Sequence, residues 1–234
     1  MSEETIPTNF EDFPPFVETC DFQNWRIKGK QHIDSGGFGD VFRACQGNDC
    51  KYVAKIIHYT PSHFDALQRE KNDMYMLGNM GLSPRLHRAI LCNKKEELYQ
   101  GIDDFNDAKS VFEDRSKEEE EENSELFKSP NYAVLFSDFI QSFKPKDMKK
   151  RDYIKKLDLP VTKLLDQLWK MGLAPDTATP GNILPYLDPL SKEWKVKLVD
   201  VGDIRHYDSP NFLSKEEQES QIEIALDAIA DLFD

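Results

Sequence analysis

The sequence lacks any apolar run approaching the ~20 residues that a membrane-crossing helix needs, so no membrane-spanning role is expected. It is also short of basic charge. Thirty Lys and Arg stand against 43 Asp and Glu, for a net charge of −13. That balance repels phosphate backbones and argues against a nucleic-acid partner, although it leaves room for a local basic patch. Cysteine is scarce: Cys20, Cys45, Cys50 and Cys92 form no C-x-x-C pair, and no histidine completes a zinc-like spacing. These four read as reduced thiols of a cytosolic or nuclear protein. The opening MSEETIPTNFEDFPPF is acidic and polar, without the basic and then apolar layout of a secretory signal peptide. What the chain does have is 39% hydrophobic and 11% aromatic residues, enough for a packed core. Its 234 residues suit one domain or two small lobes.

Residues 1–25 form a Pro-punctuated lead-in. Beyond it, β-branched and aromatic residues alternate around glycine turns, which predicts three antiparallel strands near 27–34, 40–46 and 51–58. Pro61-Ser62 opens a helix with Phe64, Leu67, Met74 and Leu77 on one face, ended by Gly78 and Gly81. RLHRAILCN and YAVLFSDFI (132–140) read as a further strand pair. Between them, about 93–130, lies an acidic insertion containing EDRSKEEEEENSE; like charges at that density predict a mobile, unburied segment. It reads as a solubilising loop, or else as a docking site for a basic partner. The period then changes to 3.6 in VTKLLDQLWKMGL (161–173), with short strands after it in NILPYL and WKVKLVDVGD and a closing helix in QIEIALDAIADLFD. Strands first and helices later is an α+β pattern.

Three local features carry candidate chemistry. Gly36, Gly37 and Gly39, with Val41 behind them, lie in DSGGFGDV, where glycine lets backbone amides approach phosphates. Sixteen residues after Gly39, Lys55 sits inside the apolar strand VAKI, where a lysine is costly to bury without an anion. Fifteen residues further on, Glu70 stands on the predicted helix within reach of Lys55, as a catalytic partner or as half of a structural ion pair.

In this combination the chain resembles protein kinases over roughly residues 27–205, whose signature is a Gly-rich loop, a V-A-I-K lysine, a helix glutamate, an H-R-D-x-x-x-x-N loop and D-F-G. Thr179-Pro180-Gly181-Asn182-Ile183-Leu184 resembles the end of the catalytic loop, and Asp200-Val201-Gly202 resembles D-F-G. The resemblance implies a bilobal fold, with an antiparallel-sheet N-lobe over 26–140 and a reduced helical C-lobe over 141–234. It implies ATP and Mg²⁺ as cofactors. Lys55 would bind the α/β-phosphates, Glu70 would orient it, Asn182 and Asp200 would ligate Mg²⁺, and the backbone from Phe136 to Asp138 would meet the adenine.

The pattern departs in three places. Asp34 replaces the first loop glycine, Val201 replaces the phenylalanine of D-F-G, and Thr177 stands where the catalytic aspartate belongs. Asp176 lies six residues before Asn182 where the family spacing is five, so it is either the base on a bulged loop or the tip of a Pro-Asp turn. Only 32 residues come after Gly202, and A-P-E is absent. In this the chain is similar to small atypical kinases such as the RIO group, and to reduced kinase-like proteins of large DNA viruses or bacterial effectors. The implied function is γ-phosphoryl transfer to a Ser/Thr hydroxyl of a protein substrate in the cytoplasm, or in the host cytoplasm or nucleus for a viral or effector protein. The alternatives are a pseudokinase that engages a partner kinase or its substrate, and phosphorylation of a small molecule.

Overall fold

A computed structural model describes residues 13–36, 39–109, 111, 131–142, 148–209 and 212–232, and the fold is α+β. The chain divides into two compact units, one of residues 1–76 and 85–139, the other of residues 77–84 and 140–234.

The first unit is built on a sheet. Strands β1 (Trp25–Gly36), β2 (Gly39–Gln46) and β3 (Asp49–Tyr59) form an antiparallel meander. After helix α1 (Phe64–Asn79) come β4 (Leu86–Cys92), helix α2 (Lys95–Tyr99), β5 (Ile102–Asp103) and β6 (Asn131–Asp138). Among the described residues the strand order is β4-β6-β3-β2-β1-β5, antiparallel except for the short parallel β1–β5 edge. β6 is therefore an interior strand, paired along its length with β3 on one side and β4 on the other. Such a strand has little use for polar residues, and Tyr132 to Ser137 are all buried. Trp25, Phe42, Tyr52, Ile90, Val134 and Phe136 belong to one contiguous core cluster.

Two expectations are corrected by this architecture. The segment from residue 93 is not wholly an unburied insertion: Leu98, Ile102 and Ala108 are buried, and Val111 packs against the same core. The acidic run itself, within 112–130, lies outside the described residues. Nor are the cysteines reduced thiols. Cys20 is bonded to Cys92 and Cys45 to Cys50. The lead-in runs parallel to β4, with Val17 N donating to Ala89 O, Leu91 N to Val17 O and Cys20 N to Leu91 O, each at 2.9 Å, and this lays Cys20 beside Cys92. The β2–β3 hairpin closes through the Gln46–Asp49 pair, which sets Cys45 against Cys50. Closing the 72-residue separation between Cys20 and Cys92 removes on the order of 4 kcal/mol of unfolded-chain entropy in the loop-closure picture.

The core tolerates little extra volume at Gly101. A Cβ there would lie 2.3–2.4 Å from the buried Phe22 ring, which itself meets Phe136 edge-on. Gly101 O also accepts from Ile27 N at 2.9 Å, which fixes the backbone in place. Gly101→Ala is therefore expected to lower the unfolding free energy by about 1–3 kcal/mol, read from a urea or guanidinium melt.

In the second unit, helix α3 (Lys150–Lys170) buries Tyr153, Leu157, Val161, Leu164 and Leu168 along one stripe. It begins eleven residues before the periodic run that predicts it, because Pro160 lies inside it. Pro160 cannot donate to the Lys156 carbonyl, but residue 156 is exposed and water can serve that acceptor. Strands β7 (Leu173–Ala174) and β10 (Arg205–His206) pair antiparallel, as do β8 (Ile183–Leu187) and β9 (Trp194–Leu198). Helix α4 (Lys215–Asp231) starts on a capping box in which Ser214 and Glu217 exchange hydrogen bonds. Among the described residues no helix is long and apolar enough to cross a membrane.

Candidate functional site

The candidate residues fall into one group in each unit. In the first unit, β3 carries Lys55 and α1 carries Glu70, and Lys55 Nζ donates to Glu70 Oε1 at 2.8 Å. Both side chains are nearly buried, at 13% and 8% exposed. In a pair so sheltered from water the loss of either member costs more than in a surface ion pair, because the charge left behind is poorly solvated. Val41 lies opposite Lys55 in the β2–β3 register, and Gly36 opposite Gly39 at the end of the β1–β2 hairpin. Gly37 lies outside the described residues.

Gly39 has a structural reason to be glycine besides any phosphate. Its φ is +149°, and a Cβ there would lie 2.4 Å from the Ile56 carbonyl oxygen. Ser35 closes the base of the same hairpin: its hydroxyl donates to Asp40 Oδ1 at 2.7 Å and lies 2.9 Å from His32 Nε2. Asp34 accepts from Ser35 N at 2.9 Å. The polar clasp of His32, Ser35 and Asp40 escapes a reading of motifs, because the three become neighbours only when the hairpin closes.

Phe136 is fully buried, and its neighbours Asp138 and Phe139 already donate their N–H groups inside the protein. Asp138 N donates to Arg85 O at 3.2 Å and Phe139 N to Lys51 O at 3.0 Å. The Asp138 carboxylate takes His87 Nε2 at 2.8 Å and Arg85 N at 3.4 Å. At this strand end the N–H groups of Asp138 and Phe139 are thus committed within the protein.

In the second unit, the β8–β9 hairpin brings Asn182 and Asp200 to one end. Asn182 immediately precedes β8 and Asp200 lies two positions beyond the end of β9, with Ile183 opposite Leu198 and Val199 N donating to Asn182 O at 2.8 Å. Asp176 organises the preceding loop. Its carboxylate accepts from Ala178 N at 3.0 Å, from the Thr179 hydroxyl and from Asn182 Nδ2 at 3.4 Å. With its amide nitrogen turned to Asp176, Asn182 has its amide oxygen available as a ligand. Asp200 Oδ1 accepts from Gly202 N at 3.1 Å. One carboxylate and one amide oxygen suit Mg²⁺, which takes few protein ligands and completes its shell with phosphate oxygens and water. Among the described residues no group of three or more His, Cys, Asp or Glu forms a metal cage. Thr177 is buried and donates its hydroxyl to Gln221 Oε1 of α4 at 2.6 Å, so it ties the loop to that helix. Val201, in the place of the D-F-G phenylalanine, is buried as well.

The far turn of the same hairpin is held by charge. Asp188 accepts from Lys195 Nζ at 2.5 Å, Leu190 N at 2.8 Å and Ser191 N at 3.0 Å. The Lys195 ammonium first, then the two amides, hold the Asp188 carboxyl well below its ordinary value of 3.8. A depressed carboxyl stabilises the fold above its unfolded-state value and loses that contribution as the pH falls through its folded one. Asp188→Asn is expected to be less stable than the wild type at pH 7, with the difference narrowing steadily below pH ~4. Thermal melts of both proteins from neutral pH down to about pH 2.5 check this.

No protein-family model matches the chain, and no curated protein matches it significantly.

Proposed function

We propose that this is a kinase-like protein that binds Mg²⁺-ATP and transfers its γ-phosphoryl group to a Ser/Thr hydroxyl of a protein. The observation that carries the reading is the sheltered Lys55–Glu70 pair on β3 and α1, the strand lysine and helix glutamate that protein kinases must have in place. Lys55 would neutralise phosphate charge, and Glu70 holds its ammonium in one position. Asn182 and Asp200 would hold the metal, which offsets charge on the transferring phosphate. Asp176, already fixed by three donors, would orient the acceptor hydroxyl through its remaining lone-pair capacity. The bilobal kinase-like arrangement belongs to the same proposal, as does the cytoplasmic location, which no longer has reduced cysteines to support it.

A second reading is favoured by one specific observation. Thr177 occupies the position of the catalytic aspartate and is committed to Gln221, while Asp176 serves its own loop. A pseudokinase that binds nucleotide and engages a partner kinase or its substrate fits that arrangement. Incubation with γ-labelled Mg²⁺-ATP and a general protein acceptor separates the two. Label on serine or threonine of the acceptor, or of the protein itself, supports the enzyme. Nucleotide binding without transfer supports the binding module, and the absence of both overturns the enzyme and leaves a nucleotide-free module.

A further inference from the structure

Helix α1 is gripped on the side away from Lys55 by the lead-in. The Phe16 ring lies 6.1 Å from Phe64, the Phe13 ring meets Tyr75 edge-on at 6.1 Å, and Lys71 Nζ donates to the Pro14 carbonyl at 2.5 Å. Positions 64, 71 and 75 fall on one stripe of the helix, and Glu70 lies about 120° around from it. Lys71 is the unusual member. It is 1% exposed, its ammonium lies 5.2 Å from the centre of the Phe16 ring, and the desolvation of burial pushes its pKa down. A lysine is seldom so deeply buried without a carboxylate, and the carbonyl and ring face that receive this one both come from the lead-in.

The lead-in is itself anchored in two ways: by the three backbone hydrogen bonds of Val17 and Cys20 to β4, and by the Cys20–Cys92 bond. Cys92 is fully buried, whereas Cys20 is half-buried and thus the more approachable sulphur. We infer that residues 13–22 are a redox-latched strap: the Cys20–Cys92 bond holds the lead-in on α1 and seals Lys71, and its reduction releases both. The step needs a dithiol. One thiolate attacks Cys20 Sγ, the Cys92 thiolate leaves and takes a proton, and the second thiol resolves the mixed disulfide. Two cysteine thiols and the oxidised dithiol result. The short Cys45–Cys50 link, confined to the β2–β3 hairpin, has no part in the strap.

The inference concerns α1 and stands without a nucleotide; its extension, that releasing the strap loosens Glu70 from Lys55, rests on the kinase-like reading. Lysine acylation by an amine-reactive ester, with peptide mass spectrometry on the full chain, tests it. In the oxidised protein Lys71 should label far more slowly than the exposed Lys155. Dithiothreitol under native conditions should raise the Lys71 rate about tenfold or more and leave Lys155 unchanged, because the strap's opening is now the cheapest route to that amine. Cys20→Ser should reproduce the fast labelling without reductant, and Cys50→Ser should label as slowly as the oxidised wild type. Slow labelling of Lys71 after the Cys20–Cys92 bond has been reduced in the wild type overturns the proposal, as does a Cys20 that stays unpaired under air. The wild-type arm decides the matter even if Cys20→Ser does not fold. Loss of Mg²⁺-ATP binding in every form would remove the nucleotide reading and leave the strap intact.

Discussion

Replacing Lys55 by alanine should abolish most of the rise in melting temperature that millimolar Mg²⁺-ATP produces in the wild type. A ligand that binds only the folded state stabilises it by mass action, by about 2.7 kcal/mol at a hundredfold excess over Kd. Lys55 Nζ is the cation that β3 brings to the site, and Glu70 holds it at 2.8 Å. The apo variant will also be less stable, because the almost buried Glu70 carboxylate loses its 2.8 Å contact with that ammonium. The two effects are separable. Replacing both members by methionine removes both nearly buried charges and should recover much of the lost stability, yet it should restore none of the nucleotide-dependent shift. Asp200→Ala should lose the shift as well, by removing a metal ligand. An undiminished shift in Lys55→Ala would end the kinase-like reading of the first unit.

Asp176→Asn should lower phosphate transfer by about 10²-fold or more, the range in which positioned general bases contribute. The structure adds a complication that the spacing of residues does not reveal. Asp176 also accepts from Asn182 Nδ2 and from Thr179, so an amide at 176 would set donor against donor in the loop. Some weakening of Mg²⁺ affinity through Asn182 is therefore expected alongside the loss of rate. Thr179→Val is the control, since it removes one donor to the carboxylate and leaves the charge. If Asp176 only staples its turn, the two variants should lose comparable, modest amounts of activity. A chemical role predicts a loss in Asp176→Asn at least about tenfold beyond that of Thr179→Val. Transfer by Asp176→Asn within a few-fold of wild type would remove it from the chemistry.

Much of the fold is legible in the residues themselves. The β1–β3 meander, α1, β4 and β6 can be read because alternation, glycine turns and Pro61 are local signals, and the element ends fall within a few residues of where those signals put them. The first half of α3 is not legible in the same way. Pro160 interrupts the pattern, and only burial of Tyr153 and Leu157 against the second unit's core shows that the helix runs through it. The ordered residues after β4 are hidden by the dense charge of the neighbouring acidic run, although Leu98 and Ile102 are apolar and fully capable of burial. The cysteine pairs are the least legible feature. Residues 20 and 92 become neighbours only through the parallel lap of the lead-in on β4, and no spacing rule contains a topology. At the candidate site, a lysine inside an apolar strand pointed to Lys55 with Glu70, and the resemblance to protein kinases pointed to Asn182 with Asp200. That Asp176 is occupied by its own loop, and Thr177 by Gln221, is a matter of side-chain direction.

The position of β6 between β3 and β4 also has a consequence for the order in which the chain is made. When Cys92 has been synthesised, β3 and β4 both exist, yet the strand that joins them does not. Another 46 residues, through Asp138, must emerge before β6 can slot between them. At roughly 5–20 residues per second, the nascent chain spends roughly 2–9 seconds with the full edge of β3 unpaired. That edge carries Val53, Ala54, Ile56 and Ile57, an apolar template for a neighbouring nascent chain on the same message. Throughout this interval the lead-in is already available to cover β4, through Val17 against Ile90. The hazard during synthesis therefore falls on the β6-facing edges of β3 and β4, since the lead-in covers only the other edge of β4, and slow translation across residues 93–130 would be the condition that aggravates it.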